Sequence, residues 1–459
     1  MKKFTKLLEA VKNADFILMT LSTVICSGLS FIFNVYSRRE VAKIPLGIYS
    51  TCIMIQNYMN YAQFGIFNSY NRDYPQALGR KDYESAQKMK NATMTFMLMI
   101  YMAIFVLFDA GVLVYHFSDF GGKYKDYYVF GLAMCPIMIL LKSFDDMSNT
   151  TLRMHGQYNK VAIIGFIRSL MAFAVGMVAI TYGGYYGLYA MAAVSAILGI
   201  IFFHKDSLKG AKLDFDFPYM KMMIISGIPL LINGLIWTIV QNVDKHVILT
   251  FMNTETYTAT EALGVYSVAQ MGFTTMVLVP LTISNVFYVK ISHLYGANQN
   301  ERELLDKASH FTSVVSALSG VVCLMVFYIT PLFVNRIMPD KADGTEPTQI
   351  LVIGVAIYAT TMIYGNIFSV LKLNKTLINN SIALCIFNII FSTALVVFVE
   401  RSLNMVAIGT GISYALYSLL LIIKLSRKLH YSFSKLIIKS WGPAVAIIIP
   451  GLLIYLLVM

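Results

Sequence analysis

Twelve apolar windows, each near the ~20 residues that carry a helix across a bilayer, recur along the 459 residues. They lie at 16–35, 45–67, 92–114, 127–152, 161–182, 187–203, 222–251, 263–289, 310–334, 350–371, 377–399 and 405–423. A last apolar stretch at 441–458 would make a thirteenth span. Only 13% of the residues are charged, against ~25% in a soluble domain. That is too little charge to coat a water-soluble fold of this size, so lipid is the solvent for most of the chain. Windows of this length read as helices, because a spanning β-strand needs only ~9–11 residues. The expected fold is an all-α polytopic membrane protein.

Charge sets the orientation. The formal net charge of +12 would point to nucleic acid in a soluble protein, but basic residues collect in the cytoplasmic loops of membrane proteins. Counting Lys and Arg in alternate loops gives 25 on the N-terminal side and 8 on the other, with Lys142, Arg168 and Lys245 inside spans. This bias places the N-terminus in the cytoplasm, and a thirteenth span would put the C-terminus outside. The basic residues 1–15 read as a retained cytoplasmic arm, since no small-residue cleavage site precedes a soluble domain. Cys26, Cys52, Cys135, Cys323 and Cys385 all lie in apolar segments without CxxC or Cys/His spacing, so neither a metal site nor any other cofactor is expected.

The two halves repeat. Leu46-Gly47-Ile48-Tyr49-Ser50 opens the second window, and Leu263-Gly264-Val265-Tyr266-Ser267 opens the eighth. The same offset of 217 pairs Asn68 with Asn285 and Gly79 with Gly296. Both copies run from outside to inside, so the repeat is parallel. The expected organisation is two six-helix lobes, 1–203 and 220–427, around a central cavity. A polar, basic linker at 204–219 joins them, and a basic loop with the extra span follows at 428–459.

Ionisable groups inside a membrane are costly, so each is a candidate for function. Lys142 stands three and four residues before Asp145 and Asp146, on one helical face. The three read either as a self-neutralising cluster or as a binding lysine with carboxylates that couple ions. Arg168, flanked by apolar residues, reads either as a phosphate grip or as a partner for Asp145 or Asp146. Asn233, Trp237, Gln241 and Asp244 share one face of the seventh window, beside Lys245 and His246. That stripe suits a cavity lining, with Trp237 placed to stack on a sugar and Asp244 to take a cation; interhelical hydrogen bonding is the plainer alternative. Arg38 and Arg39 end the first window after Asn34 and mark either the interface or an exit site for an anionic head group. In the second window Gln56, Asn60 and Gln63 share a face that points to water access.

No catalytic signature survives inspection. The chain carries no GxxxxGK[ST] phosphate loop, no HExxH and no GxSxG, and its loops are short. Transport is favoured over enzymatic chemistry.

The strings Pro45-Leu46-Gly47-Ile48-Tyr49-Ser50, Asn68-Ser69-Tyr70-Asn71-Arg72 and Ala77-Leu78-Gly79-Arg80-Lys81-Asp82-Tyr83 resemble Wzx-type polysaccharide flippases. Leu152-Arg153-Met154-His155-Gly156-Gln157-Tyr158 and Gly227-Ile228-Pro229-Leu230 are similar to later motifs of that family. It belongs to the multidrug/oligosaccharidyl-lipid/polysaccharide exporter superfamily. The resemblance implies alternating access and a cargo of polyprenyl-pyrophosphate-linked oligosaccharide crossing the bacterial inner membrane. Membrane lipid, a polysaccharide polymerase and glycosyltransferases are the partners it implies. Under it, Lys142, Arg168 and Lys245 would offset the diphosphate charge, and Asp244, Asp145 or Asp146 would take a coupling cation. A cation-coupled multidrug or metabolite antiporter is the nearest rival. A membrane-embedded glycosyltransferase or polymerase is a further one, disfavoured by the absence of a large outer loop. The intramembrane charges include at least as many bases as acids, which favours an anionic cargo.

Overall fold

The computed structural model describes residue 22 and residues 25–119, 122–207, 210–255, 257–298, 300–371 and 373–458. The basic N-terminal arm and the start of the first window lie outside the described residues. Among those described, the chain is helical with no strand. The first half comprises α1 (25–40), α2 (Lys43–Met59), α3 (Ile66–Gly79), α4 (Tyr83–Phe117), α5 (Lys125–Met154), α6 (Tyr158–Gly183) and α7 (Ala190–Ser207). The second comprises α8 (Phe217–Phe251), α9 (Ala259–Asn298), α10 (Glu301–Ile337), α11 (Thr345–Thr360), α12 (Met362–Val370), α13 (Asn374–Phe398), α14 (Leu403–Lys428) and α15 (Phe433–Val458). Ten stretches among the described residues are long and apolar enough to cross a membrane; one of them, Tyr158–Phe203, takes in α6 and most of α7. The last apolar window falls within α15.

Two windows hold a break that apolar character alone does not show. The second is interrupted at Phe64 and Gly65, both in the left-handed region with φ of 51° and 88°. A Cβ on Gly65 would meet the Gly227 backbone at 2.7 Å, so only glycine allows this approach. The tenth divides into α11 and α12 at Thr361. There Thr360 and Thr361 donate their hydroxyls to the Ile357 and Tyr358 carbonyls at 2.8 and 3.0 Å, competing with the helix ladder.

By packing, the chain divides between Leu235 and Ile236, inside α8. In the first unit, Ile66, Tyr70, Tyr101 and Met147 gather α3, α4 and α5, and Met220 and Met223 of α8 join them. Residues 210–216 run along α4: Gln87 Nε2 donates to the Gly210 carbonyl at 2.7 Å, Asn91 Oδ1 accepts from Lys212 N at 3.0 Å, and Thr95 Oγ1 accepts from Asp214 N at 2.8 Å. The spacing is a match of pitch. Four helical residues rise ~6 Å and two extended residues ~6.8 Å, so every second linker residue meets the next turn of α4. Lys88 closes the strap with an ion pair to Asp216 at 2.8 Å.

The second unit has one large core, in which Tyr266, Val355, Ile367 and Leu421 are fully buried. Lipid tails are as apolar as leucine, so close packing and polar contacts hold spanning helices together. Three such contacts fix α15. Trp441 Nε1 donates to Ser418 Oγ at 2.8 Å, Ala444 N to Ser316 Oγ at 3.0 Å, and Tyr328 Oη to the Gly451 carbonyl at 2.6 Å.

Candidate functional site

In the first unit, α5, α6 and α7 bring charged groups together. Arg168 of α6 ion-pairs with Asp145 of α5, and their side chains are only 15% and 11% exposed. The guanidinium lies 5.5 Å from the centre of the Phe203 ring of α7. Gly199 makes room for the pair, because a Cβ there would overlap both the Asp145 carboxylate and Arg168 Nη1. Buried Arg168 Nε has no hydrogen-bond partner, so the arginine keeps donor capacity. Asp146 is half-buried and Lys142 exposed; Asp145 pairs with the arginine of the next helix rather than with Lys142. The planar guanidinium of Arg168 is the group here best shaped for an oxyanion.

In the second unit, Asp244 of α8 enters a network of hydroxyl and amide side chains. Tyr266 Oη of α9 donates to its Oδ2 at 2.7 Å. Thr410 Oγ1 of α14 lies 2.6 Å from its Oδ1 and 3.0 Å from Asn388 Oδ1 of α13. Ser392 Oγ, one turn along α13, lies 2.9 Å from Asn388 Oδ1 and 3.4 Å from Thr410 Oγ1. A hydroxyl carries one hydrogen. If Thr410 donates to Asp244, nothing bridges its oxygen to Asn388 Oδ1, while Asn388 Nδ2, also buried, has no partner. With the Asn388 amide in this orientation, four oxygens share two hydroxyl hydrogens, an arrangement suited to a small cation or an added proton.

Aromatic rings lie around this network. Tyr358 is centred 6.0 Å from Trp237, 4.9 Å from Tyr414 and 5.9 Å from Tyr417. The remaining residues of the expected stripe disperse: Asn233 belongs to the first unit and is half-buried, Gln241 and His246 are exposed, and Lys245 is buried. Lys245 follows Asp244 directly and so projects about 100° around the helix from it.

The two arginines ending α1 are held locally. Arg38 Nη1 donates to the Asn34 carbonyl and Oδ1 at 2.9 and 3.0 Å, and Arg39 pairs with Glu40 at 3.6 Å on an exposed surface. Gln63 is buried with its Oε1 unpartnered.

Sequence reasoning missed Tyr266, Asn388, Ser392 and Thr410. Tyr266 stood in a repeat motif without a role, and Asn388 with Ser392 was a readable i, i+4 polar pair in an apolar helix. Thr410 gave no signal, since a lone threonine in a span ordinarily bonds its own helix.

Residues 46–341 match the family of polysaccharide biosynthesis proteins. No curated protein matches the sequence. Among solved structures, the inward closed conformation of the lipid II flippase MurJ is similar with a TM-score of 0.70 and 16% identity, covering 96% of this chain and 97% of that one. An inward-facing multidrug resistance MATE family transporter gives 0.70 at 14% identity, covering 88% and 94%. A MOP superfamily transporter from Pyrococcus furiosus gives 0.65 at 14% identity, covering 92% and 96%. At such identities the likeness establishes the fold. The chain is thus a multi-pass membrane protein with the MOP-superfamily fold, and it belongs to the polysaccharide biosynthesis protein family.

Proposed function

We infer that this protein flips polyprenyl-pyrophosphate-linked oligosaccharide across the bacterial inner membrane, N-terminus in the cytoplasm, for surface polysaccharide biosynthesis. The observation that carries the reading is the match to polysaccharide biosynthesis proteins over 46–341 on a fold shared with flippases and transporters. Such a head group cannot cross hydrocarbon unaided. Arg168, with donor capacity left over, is our first choice for its diphosphate, with Lys142, Lys245, Arg38 and Arg39 as further basic contacts. Asn233, Trp237 and Gln241 would meet the sugar. The lobes would be 1–203 and 220–427, joined by 204–219, with 428–459 appended. A polymerase and glycosyltransferases of the same pathway would be its partners.

Asp244 is our proposed coupling site, with Asp145 and Asp146 as secondary candidates. The hydrogen shortage among Asp244, Thr410, Asn388 and Ser392 supports it. A sodium ion would take the four oxygens as ligands, whereas a proton on Asp244 would let Thr410 donate to Asn388. An Asn388 amide turned the other way would donate to both hydroxyls, and would leave the site with no need of a cation. A second reading rests on the rings at Trp237, Tyr358 and Tyr414. A carboxylate beneath aromatic faces would also serve an organic cation in a multidrug antiporter.

Deleting the gene and quantifying lipid-linked oligosaccharide by mass spectrometry separates these. The flippase predicts accumulated lipid-linked repeat units and lost surface polymer, rescued by wild type and poorly by Lys142→Ala. Unchanged pools with altered tolerance to cationic drugs would select the antiporter.

A further inference from the structure

A cavity of about 540 Å³ opens at one end of the second unit, where the α8–α9 loop, the turn before α11 and the α13–α14 loop meet. We propose that it is a binding pocket for the neutral or amino-sugar part of a glycan, on the face opposite the Lys/Arg-rich loops. Its size is in the ~300–1,000 Å³ range of small-ligand sites. Tyr257, Asp343, Glu346, Glu400, Arg401 and Asn404 supply its polar wall.

The wall is partly fixed and partly unspent. Tyr257 Oη donates to Asp343 Oδ2, and Asn404 Nδ2 donates to Glu346 Oε2 at 2.7 Å. Each bond orients one carboxylate and leaves its second oxygen available. Burial, then Asp343, raise the Tyr257 phenol above its usual range, so it keeps its proton and remains a donor. The side chains of Glu400 and Arg401 are exposed and take no part in any hydrogen bond or ion pair among the described residues. Asp343, Glu346 and Glu400 thus share one cavity lining with Arg401, and four of their carboxylate oxygens take no hydrogen bond among the described residues.

The chemistry narrows the ligand. Three carboxylates against one guanidinium repel anions, which excludes phosphate and disfavours uronic acids. Among the described residues no group of three His, Cys, Asp or Glu could hold a metal ion, so the carboxylates are too dispersed for a cation cage. What remains is a ligand that both donates and accepts along its length. Neighbouring sugar hydroxyls would donate to the carboxylates, Arg401 and Asn404 would donate to sugar oxygens, and the Tyr257 ring offers an apolar face. A flipped oligosaccharide would present such groups on this side. That biological assignment rests on the flippase reading, while binding itself does not.

Saturation-transfer NMR on the purified full-length protein tests the pocket, with neutral hexoses, deoxyhexoses, N-acetylhexosamines and amino sugars as probes, glucuronate as the control and inorganic phosphate as an added competitor. The expected result is saturation of neutral or amino sugars, with glucuronate weaker by about tenfold or more, as like-charge contact dictates. Glu400→Gln with Arg401→Ala should abolish the signal without shifting thermal unfolding, since neither side chain has a partner among the described residues. Asp343→Asn should raise glucuronate binding. No saturation by any sugar, equal saturation by glucuronate, or binding indifferent to these substitutions would overturn the proposal. Accumulated lipid-linked oligosaccharide in the deletion strain without sugar binding would sink the pocket alone. Sugar binding with unchanged lipid-linked pools would sink the flippase reading alone.

Discussion

Each unit carries a carboxylate within its spanning helices, and the two are neutralised by different means. In the first, Asp145 meets the guanidinium of Arg168, and the charge is cancelled inside the protein. In the second, Asp244 accepts from the hydroxyls of Tyr266 and Thr410, and Asn388 and the neighbouring Lys245 also act on it. A carboxylate bonded mainly by hydroxyls within a spanning helix bundle is suited to taking a cation or a proton. The first keeps an unpartnered donor at Arg168 Nε, whereas the second gathers acceptor oxygens that a cation or a proton would suit. That is the distinction expected between a framework that grips an anionic cargo and a site that fills and empties during transport.

The comparison can be broken at its extremes. The largest expected effect is on function: Asp244→Asn should abolish cation-coupled transport and weaken cation binding by on the order of 10- to 100-fold, the loss of a charge-assisted contact, as read by calorimetry. On stability the order reverses. Arg168→Ala strands Asp145 and should cost about 3–5 kcal/mol in denaturant unfolding, whereas Arg168→Met with Asp145→Leu should recover most of it. A double variant that folds well yet transports nothing would assign the arginine to cargo as well as to structure. Gly199→Ala should cost about 1–3 kcal/mol by overpacking with cation affinity unchanged. Thr410→Val removes one oxygen from the second site and should weaken cation binding by about 0.5–1.5 kcal/mol, with little effect on Arg168 or its surroundings. An effect of Gly199→Ala on cation binding would show that the two sites are not independent.

Much of the framework was legible because apolar length is a local property. Among the described residues the windows fall on helices, although α3 runs on beyond the second window, and the 441–458 stretch lies within α15. The interruption at Phe64–Gly65 was hidden, since a glycine in an apolar run gives no sign of the Gly227 backbone it will meet. Thr360-Thr361 was a readable warning, because adjacent threonines can both bond back to their own helix. The sites divided along the same line. Asp145 and Arg168 are 23 residues apart on consecutive helices, so their pairing could be weighed in advance. Asp244 finds Thr410 at a separation of 166 residues, and only folding places that hydroxyl beside it. The face shared by Asn233, Trp237, Gln241 and Asp244 was a sound periodicity, yet packing assigns its first residue to one unit and the rest to the other.

The most direct test reconstitutes the protein in vesicles and follows translocation of a lipid-linked oligosaccharide under imposed sodium and proton gradients, for wild type and Asp244→Asn. The account predicts that one gradient drives accumulation in the wild type and that Asp244→Asn abolishes this response. Translocation that continues unchanged with all ion gradients collapsed, or a variant that responds like the wild type, would contradict it.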